Sequence, residues 1–174
     1  FDEINMAKNE SLAVIYSALD HRRIIDVPGY DKIRLHEASR FIGTMNYGYI
    51  GTKELNEALV SRFLVVDMPT ISEDNLKMIL SEEFNLREDY RDLFVKLFMD
   101  LQLKSLNAEI SSKPIDLRGL FAAIETMAQG LDVKSALDMG LVNKTFDVYE
   151  REIVGDVVAS LFPRNLDSKD IFLG

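Results

Sequence analysis

The chain has 174 residues, of which 47% are hydrophobic and 28% are charged, and its formal net charge is −9. This composition is typical of a globular protein with one ordinary domain or two small ones. The negative charge argues against a general nucleic-acid-binding surface, which needs clustered lysine and arginine. The absence of cysteine excludes disulfides and thiolate metal sites and is consistent with a cytoplasmic protein. No apolar run approaches the roughly 20 residues of a membrane span.

The first 70 residues combine helical and strand patterns. Apolar residues at helical spacing predict one helix, and two β-prone runs around Pro28-Gly29 predict a β-hairpin. More continuous apolar runs predict two buried parallel strands, with a short helix between them. In chain order, these elements cover residues 5–20, 23–35, 40–45, 54–61 and 63–67.

After residue 70 the strand signals end and helical stripes follow one another. Ser72 and the acidic residues after it are typical of a helix start. Longer apolar stripes then predict further helices around residues 93–101, 117–127, 133–139 and 149–161. The tail over residues 164–174 has no clear period. The sequence therefore predicts an α/β domain over residues 1–70 and an all-helical domain over residues 71–174.

The pair Asp2-Glu3 follows an apolar residue and precedes the first predicted helix. Such a pair at the end of a buried strand is typical of metal-assisted ATP chemistry. One carboxylate holds Mg²⁺ and the next polarises the attacking water. The phosphate-binding pattern G-x-x-x-x-G-K-[ST], which lies earlier in the chain in such proteins, occurs nowhere in these 174 residues.

Three further polar residues stand at strand ends or helix starts, where open α/β sheets place their active sites. Asn46 follows a predicted strand, Arg62 precedes the next one, and Arg118 lies at the start of a helix in the second domain. A carboxylate pair, an amide and two guanidiniums suit phosphoryl transfer to water. The acids handle Mg²⁺ and water, the amide orients the water, and the arginines neutralise phosphate charge.

The order of these motifs resembles the AAA+ ATPases of the MoxR and dynein-related branch. Four segments carry the resemblance. Phe1 to Ala7 resembles the Walker B segment, Thr44-Met45-Asn46 the sensor-1 motif, Gly51-Thr52 with residues 55–63 the arginine-finger segment, and Leu117-Arg118-Gly119-Leu120 the sensor-2 motif. The resemblance implies part of a P-loop AAA+ core, with parallel strands and a β-hairpin, followed by a helical lid.

The resemblance also implies a role for each site residue. Asp2 would bind Mg²⁺ through water, and Glu3 would be the general base. Asn46 would help to hold the attacking water. Arg62 would reach the ATP site of the neighbouring subunit as an arginine finger, and Arg118 would contact the nucleotide from the lid.

For the full-length protein, the resemblance implies an ATPase that forms a ring of identical subunits, with six as a candidate number, and that remodels a client protein. The first residue is Phe and no signal-peptide pattern follows, so we expect the natural N-terminus to lie upstream. Without a Walker A loop, this chain alone is expected neither to bind ATP tightly nor to hydrolyse it. The strands at 40–45 and 63–67 are then expected to expose apolar edges, which favours dimerisation or swapping.

Two alternatives remain open from the sequence. The same fold could serve a nucleic-acid motor of the helicase or restriction type, although the acidic balance speaks against it. A degenerate AAA+ module without catalysis is the other alternative. A Walker A motif about 50–60 residues upstream in the gene would favour the motor, following the spacing in families of this resemblance.

Overall fold

The computed structural model describes residues 1–46, 53–163 and 166–173. These form two compact units, Phe1–Met68 and Pro69–Gly174. Gly51-Thr52, the first part of the predicted arginine-finger segment, lies outside the described residues.

The described residues of the first unit form three short helical elements and one hairpin. A 3₁₀ turn at Ile4–Met6 precedes α1 (Asn9–Leu19), β1 (Ile24–Ile25), β2 (Ile33–Arg34) and α2 (Glu57–Val60). The small core of this unit centres on Ile4, Leu12 and Leu59, which are at most 5% exposed. The predicted first helix is confirmed, but it begins at Asn9 because residues 4–6 form a tighter turn.

The predicted β-hairpin is confirmed. β1 and β2 pair antiparallel, with Ile25 opposite Ile33. The turn has Pro28 at its second position and Gly29 at its third, with a φ of +85° at the glycine. The N–H of Tyr30 donates to the carbonyl oxygen of Val27 at 3.1 Å and closes the turn. A type II turn requires a positive φ at its third position, which glycine supplies, and it commonly has proline at its second position.

The prediction of parallel strands at 40–45 and 63–67 is wrong. Among the described residues, the two-stranded hairpin is the only sheet. The N–H of Thr44 donates to the carbonyl oxygen of Phe1, and the ammonium of Phe1 donates to the carbonyl oxygen of Ile42. Phe1 thus bonds to the residues on either side of Gly43, as a residue does in parallel pairing. Glu3, whose φ of +49° turns the chain away from an extended path, interrupts this pattern, and the next backbone bond runs from the N–H of Ile4 to the carbonyl oxygen of Thr44.

The segment at 63–67 also forms no strand in the structure, although its sequence is strongly β-prone. Leu64 is 97% exposed and Val66 is 76% exposed. Strand propensity mainly reflects packing on a pleated, half-buried surface, and a strand needs a neighbour to complete its hydrogen bonds. Among the described residues no neighbouring strand lies beside this segment. Apolar side chains are exposed at both segments, as expected.

The second unit is all-helical, in agreement with the sequence. Its helices are α3 (Glu73–Glu83), α4 (Glu88–Leu106), α5 (Leu117–Ala128), α6 (Val133–Gly140) and α7 (Val148–Leu161). Aspartate side chains cap the N-termini of α5, α6 and α7, and Ser72 caps α3. The core joins all five helices around Phe94, Phe98 and Leu120. No described helix combines the length and the apolar character needed to cross a bilayer.

The described part of the tail, in which no periodicity was recognised, packs against the second unit. A 3₁₀ turn at Ser168–Asp170 is followed by Ile171, which is fully buried. Phe172 forms an antiparallel bridge with Leu86, and the N–H of Arg87 donates to the carbonyl oxygen of Ile171. The turn at Ser168–Asp170 has only three residues, which are too few for a helical periodicity to be recognised in the sequence. Tertiary contacts therefore decide the conformation of this segment.

Candidate functional site

Two segments of the first unit that are 41 residues apart in sequence lie side by side. The N–H of Thr44 donates to the carbonyl oxygen of Phe1 at 2.9 Å, and the N–H of Ile4 donates to that of Thr44 at 2.9 Å. The rings of Phe1 and Phe41 stack with their centroids 5.6 Å apart. This pairing places the acidic pair next to the segment that carries Asn46.

The hydroxyl of Thr44 joins the two acidic residues. It donates a hydrogen bond to Oδ1 of Asp2 at 2.5 Å and accepts one from the backbone N–H of Glu3 at 3.2 Å. Hydrogen bonds that an ionised carboxylate accepts are shorter and roughly twice as strong as neutral ones. Thr44 therefore orients the carboxylate of Asp2 and ties it to the backbone of Glu3. Thr44 belongs to the segment that resembles a sensor-1 motif, but no role of its own was predicted for it.

Glu3 has a left-handed backbone conformation, with φ of +49° and ψ of +47°. This region is uncommon for a residue with a Cβ atom. Conformations of this kind cost on the order of 1–3 kcal/mol and concentrate at functional sites. The side chain of Glu3 is exposed. The strained backbone thus presents a candidate general base at the surface.

Asn46 is exposed and is linked to the acidic segment through Asn5. The side-chain amide of Asn5 donates to the carbonyl oxygen of Asn46 at 3.0 Å. Together with the Thr44 contacts, this bond gathers Asp2, Glu3 and Asn46 at one part of the first unit. The sequence singled out these three residues, but not the buried amide of Asn5. An asparagine between Ile4 and Met6, within an otherwise apolar turn, was the available signal.

Arg62 lies just after α2 and is engaged within its own unit. Its guanidinium lies over the ring of Tyr16 on α1, 5.3 Å from the centroid, and one Nη atom donates to the carbonyl oxygen of Ala58. A cation over an aromatic face contributes about 0.5–1 kcal/mol at an exposed site. Arg62 itself is exposed. The interaction that holds the Arg62 guanidinium against Tyr16 of α1 is therefore weak.

Arg118 belongs to the second unit, where it is exposed in the first turn of α5. Its backbone N–H donates to Oδ1 of the capping residue Asp116 at 3.0 Å. The ammonium of Lys144 lies 3.1 Å from the other carboxylate oxygen of Asp116. Burial raises the pKa of Asp116, but the hydrogen bonds from Lys144 and from the N–H of Gly119 outweigh it and hold that pKa below its ordinary value. The cap thus stays ionised beside Arg118.

The acidic pair fits a weakly held Mg²⁺ rather than a metal caged by protein. No group of three or more metal-binding side chains assembles anywhere in the described ranges. Mg²⁺ keeps several of its waters and is commonly bound through one or two carboxylates together with substrate phosphates. A single oriented carboxylate such as Asp2 suits that kind of binding.

A groove of about 790 Å³ runs beside this site within the first unit. Thr44 and Asn46 lie at its wall, and most other lining side chains are apolar. Its lining includes no lysine or arginine among the described residues. The groove therefore suits an apolar group better than a phosphate. Its lining comes from Ile4, residues 41–46, Leu55, Val60 and residues 63–68.

Relatives among known proteins match most of the chain, over both units. The chain is 33% identical over 163 residues to the uncharacterized protein YojN of Bacillus subtilis (strain 168), covering 92% of this chain and 53% of that protein. It is 32% identical over 159 residues to an uncharacterized protein of Staphylococcus aureus (strain NCTC 8325 / PS 47), covering 90% and 60%. The chain thus spans between half and two thirds of the length of these curated relatives.

Residues 1–63 match the family model of the AAA domain (dynein-related subfamily). The matched stretch contains Asp2, Glu3, Asn46 and Arg62, and it ends before Arg118. This match supports the prediction that the first unit is part of an AAA+ ATPase.

Proposed function

We propose that the full-length gene product is an AAA+ ATPase of the MoxR-like branch that remodels a partner protein. The observation that carries the proposal is the Thr44 hydroxyl, which contacts both Asp2 and the backbone of Glu3. It ties a candidate metal-binding carboxylate and a candidate base to the segment that ends in Asn46. The AAA domain match over the same residues supports this interpretation.

In this proposal the three residues of the first unit divide the chemistry. Glu3 takes a proton from the water that attacks the terminal phosphate, and Asn46 holds that water through its amide. Asp2 would hold Mg²⁺, and the ion would supply positive charge for the phosphate oxygens. Thr44 keeps the carboxylate of Asp2 in one orientation, so that no reorientation is needed when the substrate binds.

The two arginines act from other places. Arg62 leaves the ring of Tyr16 and reaches the ATP site of a neighbouring subunit in a ring of identical subunits. Arg62 is exposed and its contact with Tyr16 is weak, so this movement requires little free energy. Arg118 approaches the nucleotide from the helical lid, and the capped first turn of α5 fixes its backbone. Both residues stabilise negative charge that develops on the phosphates.

The decisive experiment replaces the base in the full-length protein. Glu3→Gln keeps the size of the side chain and removes its basicity, so we expect kcat for ATP hydrolysis to fall by about 100-fold or more while ATP binding is retained. Glu10→Gln is the matched control, because it makes the same change at an exposed glutamate of α1. ATP hydrolysis that survives Glu3→Gln unchanged would show that the assignment is wrong.

Client remodelling needs its own measurement. An ATPase that remodels a protein holds its client while ATP is bound and releases it after hydrolysis. We therefore expect Glu3→Gln to retain one specific protein in the presence of ATP and to lose it in ADP, whereas wild type releases it in both. Retention of DNA or RNA in place of a protein, with strong salt dependence, would point to the nucleic-acid motor instead.

A further inference from the structure

Asn5 is a buried polar residue at the base of the candidate site. Asn5 is only 4% exposed and the adjacent Ile4 is also buried, although Met6 on its other side lies at the surface. The Nδ2 atom donates to the carbonyl oxygen of Asn46 at 3.0 Å and to the carbonyl oxygen of Lys53 at 3.2 Å. Both N–H groups of one amide are thus used on two carbonyls that lie on either side of residues 47–52.

Burial of this amide carries a cost. Its Oδ1 atom is buried and has no hydrogen-bond partner in the part of the chain that the structure describes. A buried acceptor without a partner is unfavourable, and an apolar side chain of the same size would avoid that penalty. What the apolar side chain could not supply is the pair of donors. The two donated bonds are therefore what this amide contributes to the structure.

We propose that Asn5 is a positioning residue for ATP hydrolysis, acting through Asn46 and not on the nucleotide itself. This inference rests on the proposed ATPase function. Asn5 stands two residues after Glu3, and the N–H of Ile4 is bonded to the carbonyl oxygen of Thr44. Among the described residues, the bond from Asn5 is the one that reaches Asn46, whereas the other hydrogen bonds between the two segments end at Ile42 and Thr44. It holds the backbone of Asn46, and through that backbone it limits the separation between the Asn46 side-chain amide and the Glu3 carboxylate.

That separation matters because one water has to contact both groups. A water positioned between a base and an amide reacts only in a narrow range of geometry. A displacement of about 1 Å can cost a factor of about 100 in rate. Without the Asn5 bonds, the carbonyls of Asn46 and Lys53 lose their common donor, and the backbone of Asn46 gains freedom. Thr44 still orients Asp2, so the contact that supports metal and ATP binding is preserved.

The test compares Asn5→Leu with wild type in the full-length protein. Leucine has a similar volume and no donors, so we expect kcat to fall by about 10- to 100-fold while KM for ATP changes less than about twofold. Asn9→Leu is the matched control, because it makes the same change at an exposed asparagine of α1, and it should retain wild-type kcat. If Asn5→Leu does not fold, Asn5→Ser replaces it. Its hydroxyl can donate to one carbonyl only, so a smaller loss of kcat is expected.

A double-mutant cycle separates positioning from general damage. If Asn5 acts through Asn46, then adding Asn5→Leu to Asn46→Ala lowers kcat by less than about twofold beyond Asn46→Ala alone. Multiplicative losses, an unchanged kcat in Asn5→Leu, or a loss that follows only the folded fraction would each overturn the proposal. Loss of hydrolysis in Glu3→Gln with full activity in Asn5→Leu would refute this inference alone. Hydrolysis unaffected by Glu3→Gln would refute the proposed function, and this inference with it.

Discussion

The carbonyl oxygen of Gly140 lies within the space that a Cβ atom on Gly119 would occupy, and the carbonyl oxygen of Gly119 lies within the space of a Cβ atom on Gly140. Both glycines are buried where α5 and α6 pack together. The two helices therefore touch through their backbones. A backbone cannot rotate aside as a side chain can, so this contact leaves no room for even a methyl group.

Gly119→Ala is expected to destabilise the second unit by about 3 kcal/mol or more, because α5 and α6 would have to separate. Gly119 follows Arg118 directly, so the change also displaces the first turn of α5. The measurement is urea unfolding followed by circular dichroism, with the transition of the helical unit as the readout.

Gly155→Ala on α7 provides the matched control. A Cβ atom at position 155 would meet nothing within 4 Å, and its φ lies outside the left-handed region. Alanine in a helix interior is more favourable than glycine by about 0.5–1 kcal/mol. We therefore expect this variant to be more stable than wild type. Equal effects of the two variants would contradict the close contact at Gly119.

Glu150 should give the second unit a stability that depends on pH. The hydroxyl of Thr145 donates to its carboxylate, as do the hydroxyl and the N–H of Ser111. These bonds, the one from Thr145 first, hold the pKa of Glu150 below its ordinary value of 4.5, although burial opposes them. A lowered pKa means that the stabilisation is complete above pH 4.5 and is lost as the pH falls through the folded value.

Glu150→Gln should therefore reduce the free energy of unfolding by about 1–2 kcal/mol at pH 7, with the deficit shrinking at acid pH. Glu152→Gln makes the same change at an exposed position of α7 and should be nearly neutral throughout. Chemical denaturation from pH 7 to pH 3 measures both variants. A deficit that stays constant with pH would show that the charge of Glu150 is not responsible.

Asp116 combines a helix cap with an ion pair, and two substitutions separate these contributions. Asp116→Ala removes both and should cost about 1 kcal/mol or slightly more. Asp116→Asn keeps a good cap and loses only the pairing with Lys144, so most of the stability should remain. Thermal unfolding compares the two. Similar losses in both variants would mean that the ion pair outweighs the cap.

Arg62 can be tested by mixing two inactive full-length proteins. Glu3→Gln lacks the base, and Arg62→Ala lacks the proposed finger. If Arg62 serves the neighbouring site in a ring, a random mixture contains sites with both groups, and about a quarter of the wild-type ATPase activity should return. If Arg62 serves its own site, the mixture will be no more active than its parts. Disassembly and reassembly of the wild-type ring under the same conditions is the control.

Local patterns in the sequence were sufficient for several elements because their causes are local. The stripes of α4, α5 and α7 follow from apolar residues repeated at helical spacing, and the hairpin follows from Pro28-Gly29 between two β-prone runs. Asp2-Glu3, Asn46 and Arg62 were visible as polar residues at element ends, within a stretch that matches the AAA domain. These features depend only on neighbours in the chain.

Tertiary structure decided what depends on distant partners. The runs at 40–45 and 63–67 have strand-like sequences, yet a strand forms only where a neighbour completes its hydrogen bonds, so propensity alone predicted too much. The ties from Thr44 to Asp2 and from Asn5 to Asn46 cross some 40 residues of chain. The sequence thus determined which residue types are present and which helices form. Only the folded chain decided which side chains meet, because that choice is made by packing and hydrogen bonding between segments that no local pattern connects.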